Sequence, residues 1–310
     1  MLTPVAEKAT FSLMQTIDEF DKQFPTEEAC REYLMQKRWP NGVHCPRCGK
    51  SEKIYALKSK PFYWVCKNAD CGKRNGYRFS LITRTIFQDT KIPLRVWFKV
   101  GYLMLTAKKG LSSLQVHRVI FGEDSGSDWR TAWYMCLRWR GAMAGNLYPM
   151  GGIIEVDETY VGGKDKNRHW NKRSRQQREA GTGGANYGKI GVIGAIERKG
   201  NVVARVIGDT DARTLSGFVR RVAKSKMSVV VTDEAAAYSR MGLQHETVNH
   251  SRGQYVRGQF HTNTIESFWS LLKRGAVGSY HHVSKDYLPL YLNEFSFRFN
   301  NRGNPEMLAT

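Results

Sequence analysis

Acidic residues are scarce in this chain. Across 310 residues, Asp and Glu number 28 against 48 Lys and Arg, a formal net charge of +20. A solvated basic surface of this size favours polyanions, and nucleic acid is the usual one; the bland alternative is a merely soluble basic protein. Charge alone does not separate DNA from RNA. Long apolar runs are also missing. None approaches the roughly 20 residues needed to cross a bilayer, so no membrane association is expected. The first eleven residues carry Glu7 and lack an apolar core, so no export signal is expected and the cytoplasm is the inferred compartment. No internal repeat or long low-complexity tract is present, which argues against a repeat array. The length suits about two domains plus a small module.

The pattern along the chain changes twice. Residues 26–38 read as a short helix, with Thr26 as a cap and Ala29, Tyr33 and Leu34 at helical spacing, before Trp39, Pro40, Asn41 and Gly42 break it. A cysteine-rich segment follows to about Ser80. Residues 93–107 turn helical again, with Pro93 suited to a first turn and Leu94, Trp97, Phe98, Gly101 and Leu105 on one side. A second short helix carries Leu114, Val116, Val119 and Ile120, and a third carries Trp129, Trp133, Leu137 and Trp139 among Arg130, Arg138 and Arg140. Three such helices match a helix-turn-helix module, although any small helical bundle has the same pattern. From Gly151 the texture becomes strand-like. Residues 152–161 alternate, 190–197 and 202–207 form a hairpin, 211–223 form a helix, 227–231 a buried strand and 246–249 a further one; 263–274 and 284–300 are helices. That order suits an α/β domain with a mixed sheet.

The cysteines are paired. Cys45-Pro46-Arg47-Cys48-Gly49 and Cys66-Lys67-Asn68-Ala69-Asp70-Cys71-Gly72 are separated by 17 residues. Two thiolate pairs can close a tetrahedral Zn²⁺ site, and Gly49 and Gly72 let the backbone turn around the ion. With no export signal, zinc is preferred to disulfides. A closed four-cysteine site is structural. His44 is a candidate substitute ligand, though a solvated loop histidine is the simpler reading; Cys30 and Cys136 read as buried inert thiols. Lysines and arginines of the segment are interleaved with Phe62, Tyr63, Trp64 and Tyr77, which serve either a nucleic-acid surface or the module's own core.

Acidic residues appear where apolar ones are expected. In Ile153-Ile154-Glu155-Val156-Asp157-Glu158-Thr159-Tyr160, alternation puts Glu155, Asp157 and Thr159 on one face. Either this is an exposed edge strand, or the carboxylates are hard oxygen ligands for Mg²⁺. Asp233 ends the next apolar run, Val229-Val230-Val231-Thr232, where a helix cap is the competing reading. On the helix 263–274, Ile265, Trp269 and Leu272 make an apolar face, while Glu266 and Lys273 lie two turns apart on another. That face is either simply solvated, or it joins a metal-binding carboxylate to a phosphate-contacting lysine.

These stretches carry a resemblance. The segments are 39–49 around Cys45 and Cys48, Glu155-Val156-Asp157-Glu158-Thr159-Tyr160-Val161-Gly162-Gly163, and 261–274 around Glu266, with 291–300 as a closing helix. They resemble bacterial insertion-sequence transposases with an Asp-Asp-Glu active site, most closely the insertion-sequence-1595 family, over residues 16–302. The resemblance implies an α/β RNase-H-like (retroviral-integrase-like) catalytic core with an N-terminal zinc ribbon and a small helix-turn-helix-like module. The implied boundaries are 16–80 for helix plus ribbon, 91–145 for the helical DNA-binding module and 150–302 for the catalytic domain. It also implies that Asp157, Asp233 and Glu266 are the catalytic acids, holding two Mg²⁺ or Mn²⁺ ions, with Asp157 between them and Lys273 as the basic residue two turns on. Arg274 and the basic loop residues Lys164, Lys166, Arg168, Lys172, Arg173 and Arg175 are candidate DNA contacts; a solvated insertion is the alternative for the loop. The expected partners are the terminal inverted repeats of its element and target DNA, bound by a homo-oligomer near the bacterial nucleoid. Two alternatives stay open: a metal-dependent DNA nuclease, and an inactive zinc-ribbon DNA-binding protein.

Overall fold

The computed structural model describes residues 16–72, 75–145, 149–163, 189–224, 228–233, 238, 242–248, 258 and 260–304. The chain divides into two compact units, one comprising Met1–Thr106, Ser113–Ala142 and Gly303–Thr310, the other Ala107–Ser112 and Met143–Arg302. The helical segment and the cysteine ribbon therefore share a unit with the three helices that follow them.

In the first unit, α1 (Ile17–Gln23) starts with a capping box between Thr16 and Glu19. Thr26 caps α2 (Glu27–Arg38) as expected, its side chain accepting from the Ala29 amide. Glu27 also serves a second helix. Its carboxylate accepts from the backbone amides of Leu94 and Arg95, each at 3.0 Å, at the start of α3 (Leu94–Thr106). Those amides have no intrahelical partner, and the helix dipole favours a negative charge beside them. Tilted and edge-on rings of Phe20, Phe24, Tyr33, Phe98 and Tyr102 fill the space between these helices. Two further helices, α4 (Ser113–Ile120) and α5 (Trp129–Ala142), complete the helical set. The ribbon is a three-stranded antiparallel sheet in the order β1 (Ile54–Ala56), β2 (Tyr63–Cys66), β3 (Tyr77–Ser80). Trp64 turns inward against Trp39 and Phe79, so this aromatic belongs to the ribbon's core.

The second unit is built on a five-stranded sheet. Its strands are β4 (Ile153–Val161), β5 (Ile190–Glu197), β6 (Val202–Ile207), β7 (Val229–Thr232) and β8 (Gln244–Thr247), in the order β6-β5-β4-β7-β8. β4, β5 and β6 form an antiparallel meander, while β7 and β8 run parallel to β4. The crossover from β6 to β7 is made by α6 (Ala212–Val222), whose Leu215, Phe218, Val219 and Val222 cover Ile154, Val156, Ile193 and Ala195. The other face is covered by α7 (Asn263–Gly278) and α8 (Leu288–Asn300), through Ile265, Phe268, Trp269, Leu272, Leu292 and Phe295 packed on Val161, Val192 and Ile196. A mixed sheet between helical layers, with this order and these directions, is the expected RNase-H-like core.

One glycine sets the spacing of the layers. Gly194 is the Cα partner of Asp157 across the β4–β5 ladder. A Cβ added there would come within 2.5 Å of the Trp269 ring. Its hydrogen atom lets α7 lie close over the middle of the sheet, at the level of Asp157. Among the described residues, no helix is long and apolar enough to cross a membrane.

Candidate active site and zinc centre

The ribbon brings its four cysteines together. Cys45, Cys48, Cys66 and Cys71 can each offer a sulfur within 4.8 Å of the others. The Cys45–Cys71 sulfurs lie 3.6 Å apart and the Cys48–Cys66 pair 3.8 Å. A tetrahedron of thiolates with Zn–S bonds of about 2.3 Å has edges of about 3.8 Å, so the set fits zinc. The surrounding donors favour thiolates: the Arg47 amide points at Cys45 Sγ, 3.4 Å, and Asn68 Nδ2 at Cys66 Sγ, 3.2 Å. Gly49 and Gly72 both adopt positive φ, the turns that the sequence predicts. His44 is not part of the group. Cys30 and Cys136 are buried away from it, and burial followed by the nearby Glu27 pushes the Cys30 thiol up to about 11.

The acid centre forms where β4 and β7 lie side by side. Their parallel register pairs Glu155 with Val231. Continued by two residues, it sets Asp157 level with Asp233, just past the end of β7. Asp157 shares its face with Glu155, Thr159 and α7, as the alternation predicts. Asp157, Glu158 and Asp233 each place a carboxylate oxygen within 4.8 Å of the others. Burial, then the charges of Asp233 and Glu266, push the Asp157 carboxyl up to about 6. Burial, then Asp157 and Asp233, push Glu158 up to about 8. Such crowding of carboxylates is unfavourable without a cation, and hard oxygen donors suit Mg²⁺ or Mn²⁺. A buried oxygen of Glu158, Oε1, has no hydrogen-bond partner among the described residues. The donor set therefore fits a divalent ion.

Glu266 stands in the first turn of α7, beyond the 4.8 Å group but near enough to act on Asp157. Its Oε1 accepts from the buried hydroxyl of Thr262 at 2.7 Å. Lys273 and Arg274 are exposed further along the same helix. The basic loop residues Lys164, Lys166, Arg168, Lys172, Arg173 and Arg175 lie outside the described residues. Glu158 had no role in the sequence reading, while Glu155 was read with Asp157 as either an exposed edge-strand acid or a Mg²⁺ ligand. Glu158 points by the pleat to the opposite face from Asp157, and it reaches Asp233 only because β7 stops at Thr232. Glu155 is wholly buried and bonded to the start of α7.

Comparisons with known proteins place the chain in a family. Residues 149–300 match the family described as ISXO2-like transposase domain of the IS1595 group, and residues 25–74 match its transposase zinc-ribbon domain. A protein of the transposable element ISH50 from Halobacterium salinarum is 30% identical over 288 residues, covering 89% of this chain and 92% of that protein. That relative is archaeal, so the kinship reaches beyond bacteria. A transposase-like protein of Haemophilus influenzae is 29% identical over 106 residues, 33% of this chain and 84% of its own length. Among solved structures, the intasome of simian T-cell lymphotropic virus in complex with PP2A regulatory subunit B56 gamma matches with a TM-score of 0.29 and 13% identity, over 65% of each chain. With nearly full-length kinship to a transposon protein, and a ribbon and a transposase domain that each match the same group, the chain belongs to the insertion-sequence-1595 family of transposases.

Proposed function

We propose that this chain is an active DNA transposase that binds the ends of its own element, cuts them and joins them to target DNA. The observation that carries the reading is the meeting of Asp157, midway along β4, with Asp233, just past the end of β7, within 4.8 Å, and Glu266 acting on Asp157 from α7. Family membership supplies the reaction class; this convergence supplies the means.

In this reading Asp157, Asp233 and Glu266 would hold two divalent ions, with Asp157 serving both and Asp233 and Glu266 one each. Two bound divalent ions would stabilise both the attacking and the leaving oxygen of an in-line displacement at phosphorus. In the first step a water oxygen bonds to phosphorus as the 3′ oxygen leaves. In the second, the freed 3′ hydroxyl oxygen bonds to a target phosphorus as the target strand's own 3′ oxygen leaves; in each step the attacking oxygen gives up a proton and the leaving oxygen takes one up. What supports this role for the chain's own side chains is their placement on one packed core, Asp157 on a strand, Asp233 just after a strand and Glu266 on a helix, since such chemistry needs rigidly held ligands. Exposed Lys273 and Arg274, two turns along α7, contact the phosphates flanking the cut. The basic loop 164–178 adds sequence-independent affinity.

The domain roles follow. Segment 16–80 holds a structural Zn²⁺ and segment 91–145 a helix-turn-helix-like DNA contact, while 150–302 performs catalysis. Synapsis of two element ends calls for a homo-oligomer on DNA, in the cytoplasm alongside the chromosome.

The decisive experiment incubates the purified chain with Mg²⁺ and the DNA flanking its coding region. The expected outcome is metal-dependent cutting and joined products, both abolished in Asp157→Ala. Cutting without joining identifies a nuclease. Salt-sensitive DNA binding with no cutting identifies an inactive DNA-binding relative. Unimpaired activity of Asp157→Ala refutes the assignment of the acids.

A further inference from the structure

We propose that Glu155 is a positioning residue for the acid centre: its buried carboxylate locks the helix bearing Glu266 onto the strand bearing Asp157. This rests on the reading of Asp157, Asp233 and Glu266 as the ion-holding acids.

Glu155 is 0% exposed, the third residue of β4. Its Oε2 accepts from the backbone amides of Thr264 at 2.9 Å and Ile265 at 3.1 Å. Its Oε1 accepts from the Thr264 hydroxyl at 2.9 Å and from the Arg198 guanidinium at 3.2 Å, and His261 Nδ1 lies 3.4 Å away. Thr264 and Ile265 are the second and third residues of α7, the positions whose amides a capping side chain ordinarily satisfies. The local capping residue, Thr262, makes no such bond; its hydroxyl turns to Glu266 instead. The cap is thus supplied from a strand more than a hundred residues earlier in the chain.

That substitution has a geometric consequence. A helix held to a sheet by apolar contact alone can slide or roll with little penalty, because hydrophobic packing has no direction. A carboxylate with three directed bonds to one helical turn, and a guanidinium as counter-charge, defines a single register. Glu155 lies two residues before Asp157 on the same face of the strand, about 7 Å along it. Its partners Thr264 and Ile265 immediately precede Glu266. The bond set is therefore a short rigid link between two of the acids. Burial alone would not call for such a link: an apolar residue at 155 could fill the space, but would leave the helix amides unsatisfied.

The test uses the full chain and four substitutions alongside the parent: Glu155→Ala, Glu155→Gln, Thr264→Val, and Glu266→Gln as a reference. Cutting rate, DNA affinity and melting temperature are measured for each. In addition, Fe²⁺ replaces Mg²⁺ and the protein backbone is mapped for oxidative cleavage, which marks the segments nearest bound iron. In the parent, cuts should fall near Asp157, Asp233 and Glu266. Glu155→Ala should lower the cutting rate by roughly 10²-fold, the scale of loss for about an ångström of misplacement, with DNA affinity unchanged. Its iron-dependent cuts near Glu266 should fade while those near Asp157 and Asp233 persist. Glu155→Gln, which keeps one acceptor for the two amides, should recover part of both signals. Thr264→Val should show a smaller loss of the same kind, and it decides the matter if Glu155→Ala does not fold.

A folded Glu155→Ala with the parental rate and cleavage map overturns the proposal. So does a fall in melting temperature with the parental map, which marks a structural role alone. If Glu266→Gln cuts normally, or the parent gives no iron-dependent cuts near the three acids, the underlying assignment of the acids fails as well. If those controls behave and the Glu155 and Thr264 variants match the parent, only the positioning role falls.

Discussion

At the scale of single residues, the acid centre is a set of like charges gathered before any cation neutralises them. Asp157 rises from 3.8 to about 6 and Glu158 from 4.5 to about 8, in each case through burial first and neighbouring carboxylates second. The linkage to stability has a definite sign. Below about pH 4 both groups are protonated in the folded and unfolded chain alike, and their contribution is fully present. As pH rises through 6 and then 8, the folded chain must ionise groups it prefers to keep neutral, and that contribution is lost. The metal-free protein should therefore melt at progressively lower temperature between about pH 5 and pH 8. Added Mn²⁺ should raise the melting temperature more at pH 8 than at pH 5, since it favours the ionised form and binds only the folded cage. Asp157→Asn should invert the balance at pH 8, melting above the parent without metal yet gaining less from Mn²⁺. Calorimetry across pH, with and without Mn²⁺, checks this; a parent whose Mn²⁺ stabilisation is the same at both pH values would exclude these carboxyls as the ion's ligands.

At the scale of elements, two small devices carry the site. The ribbon strands hold three, four and four residues, too short to stand without help, so the cysteine cluster supplies their cohesion. Elemental analysis should find one zinc per chain bound at this site, and Cys45→Ser should lose it together with the Trp39–Trp64 packing, seen as altered tryptophan emission. Gly194 is the second device. Gly194→Ala drives a methyl into the Trp269 ring and should cost about 1–3 kcal/mol of stability, as overpacking does. Because the displaced helix carries Glu266, cutting should fall by more than the fraction unfolded; equal losses would mean that α7 absorbs the methyl without moving. The elements themselves were largely legible, since periods of two and 3.6 mark β4 to β7 and α6 to α8 within a few residues. Where the pattern misled, close packing was the cause. The sequence pattern bounds this helix at 263–274, yet α7 runs to Gly278, and glycine stands at 275 inside it because a Cβ there would strike Phe295 at 2.4 Å and the Lys109 carbonyl at 2.6 Å. Asp157 and Asp233 could be picked out as acids interrupting apolar strands. Glu155 stood equally in view, but alternation gives a face and not the helix end that meets it. Glu158 was hidden for the opposite reason: alternation assigns it to the wrong face, and only the early end of β7 lets it reach Asp233.

At the scale of the whole molecule, the excess of positive charge is distributed along the chain, and its effect on DNA can be apportioned by salt. Each phosphate neutralised by a Lys or Arg releases condensed counterions, so the logarithm of affinity falls with the logarithm of salt at a slope of about 0.9 per contact. A protein of net charge +20 that made 6–10 such contacts would lose on the order of 10³–10⁵ in affinity between 50 and 200 mM salt. The roles proposed for the basic residues then separate. Replacing Lys164, Lys166 and Arg168 with glutamine should lower the slope by about three if each meets a phosphate, with equal weakening on element ends and unrelated duplexes. Lys273→Gln should lower the slope by about one and also slow cutting, because this side chain projects from the helix that bears Glu266. Titrations of labelled DNA at several salt concentrations read both quantities. An unchanged slope in the triple variant would leave the loop solvated, and a Lys273 variant with the parental slope and cutting rate would remove that lysine from the DNA path, shifting the positive field that draws in DNA to the ribbon and the helical segment 91–145.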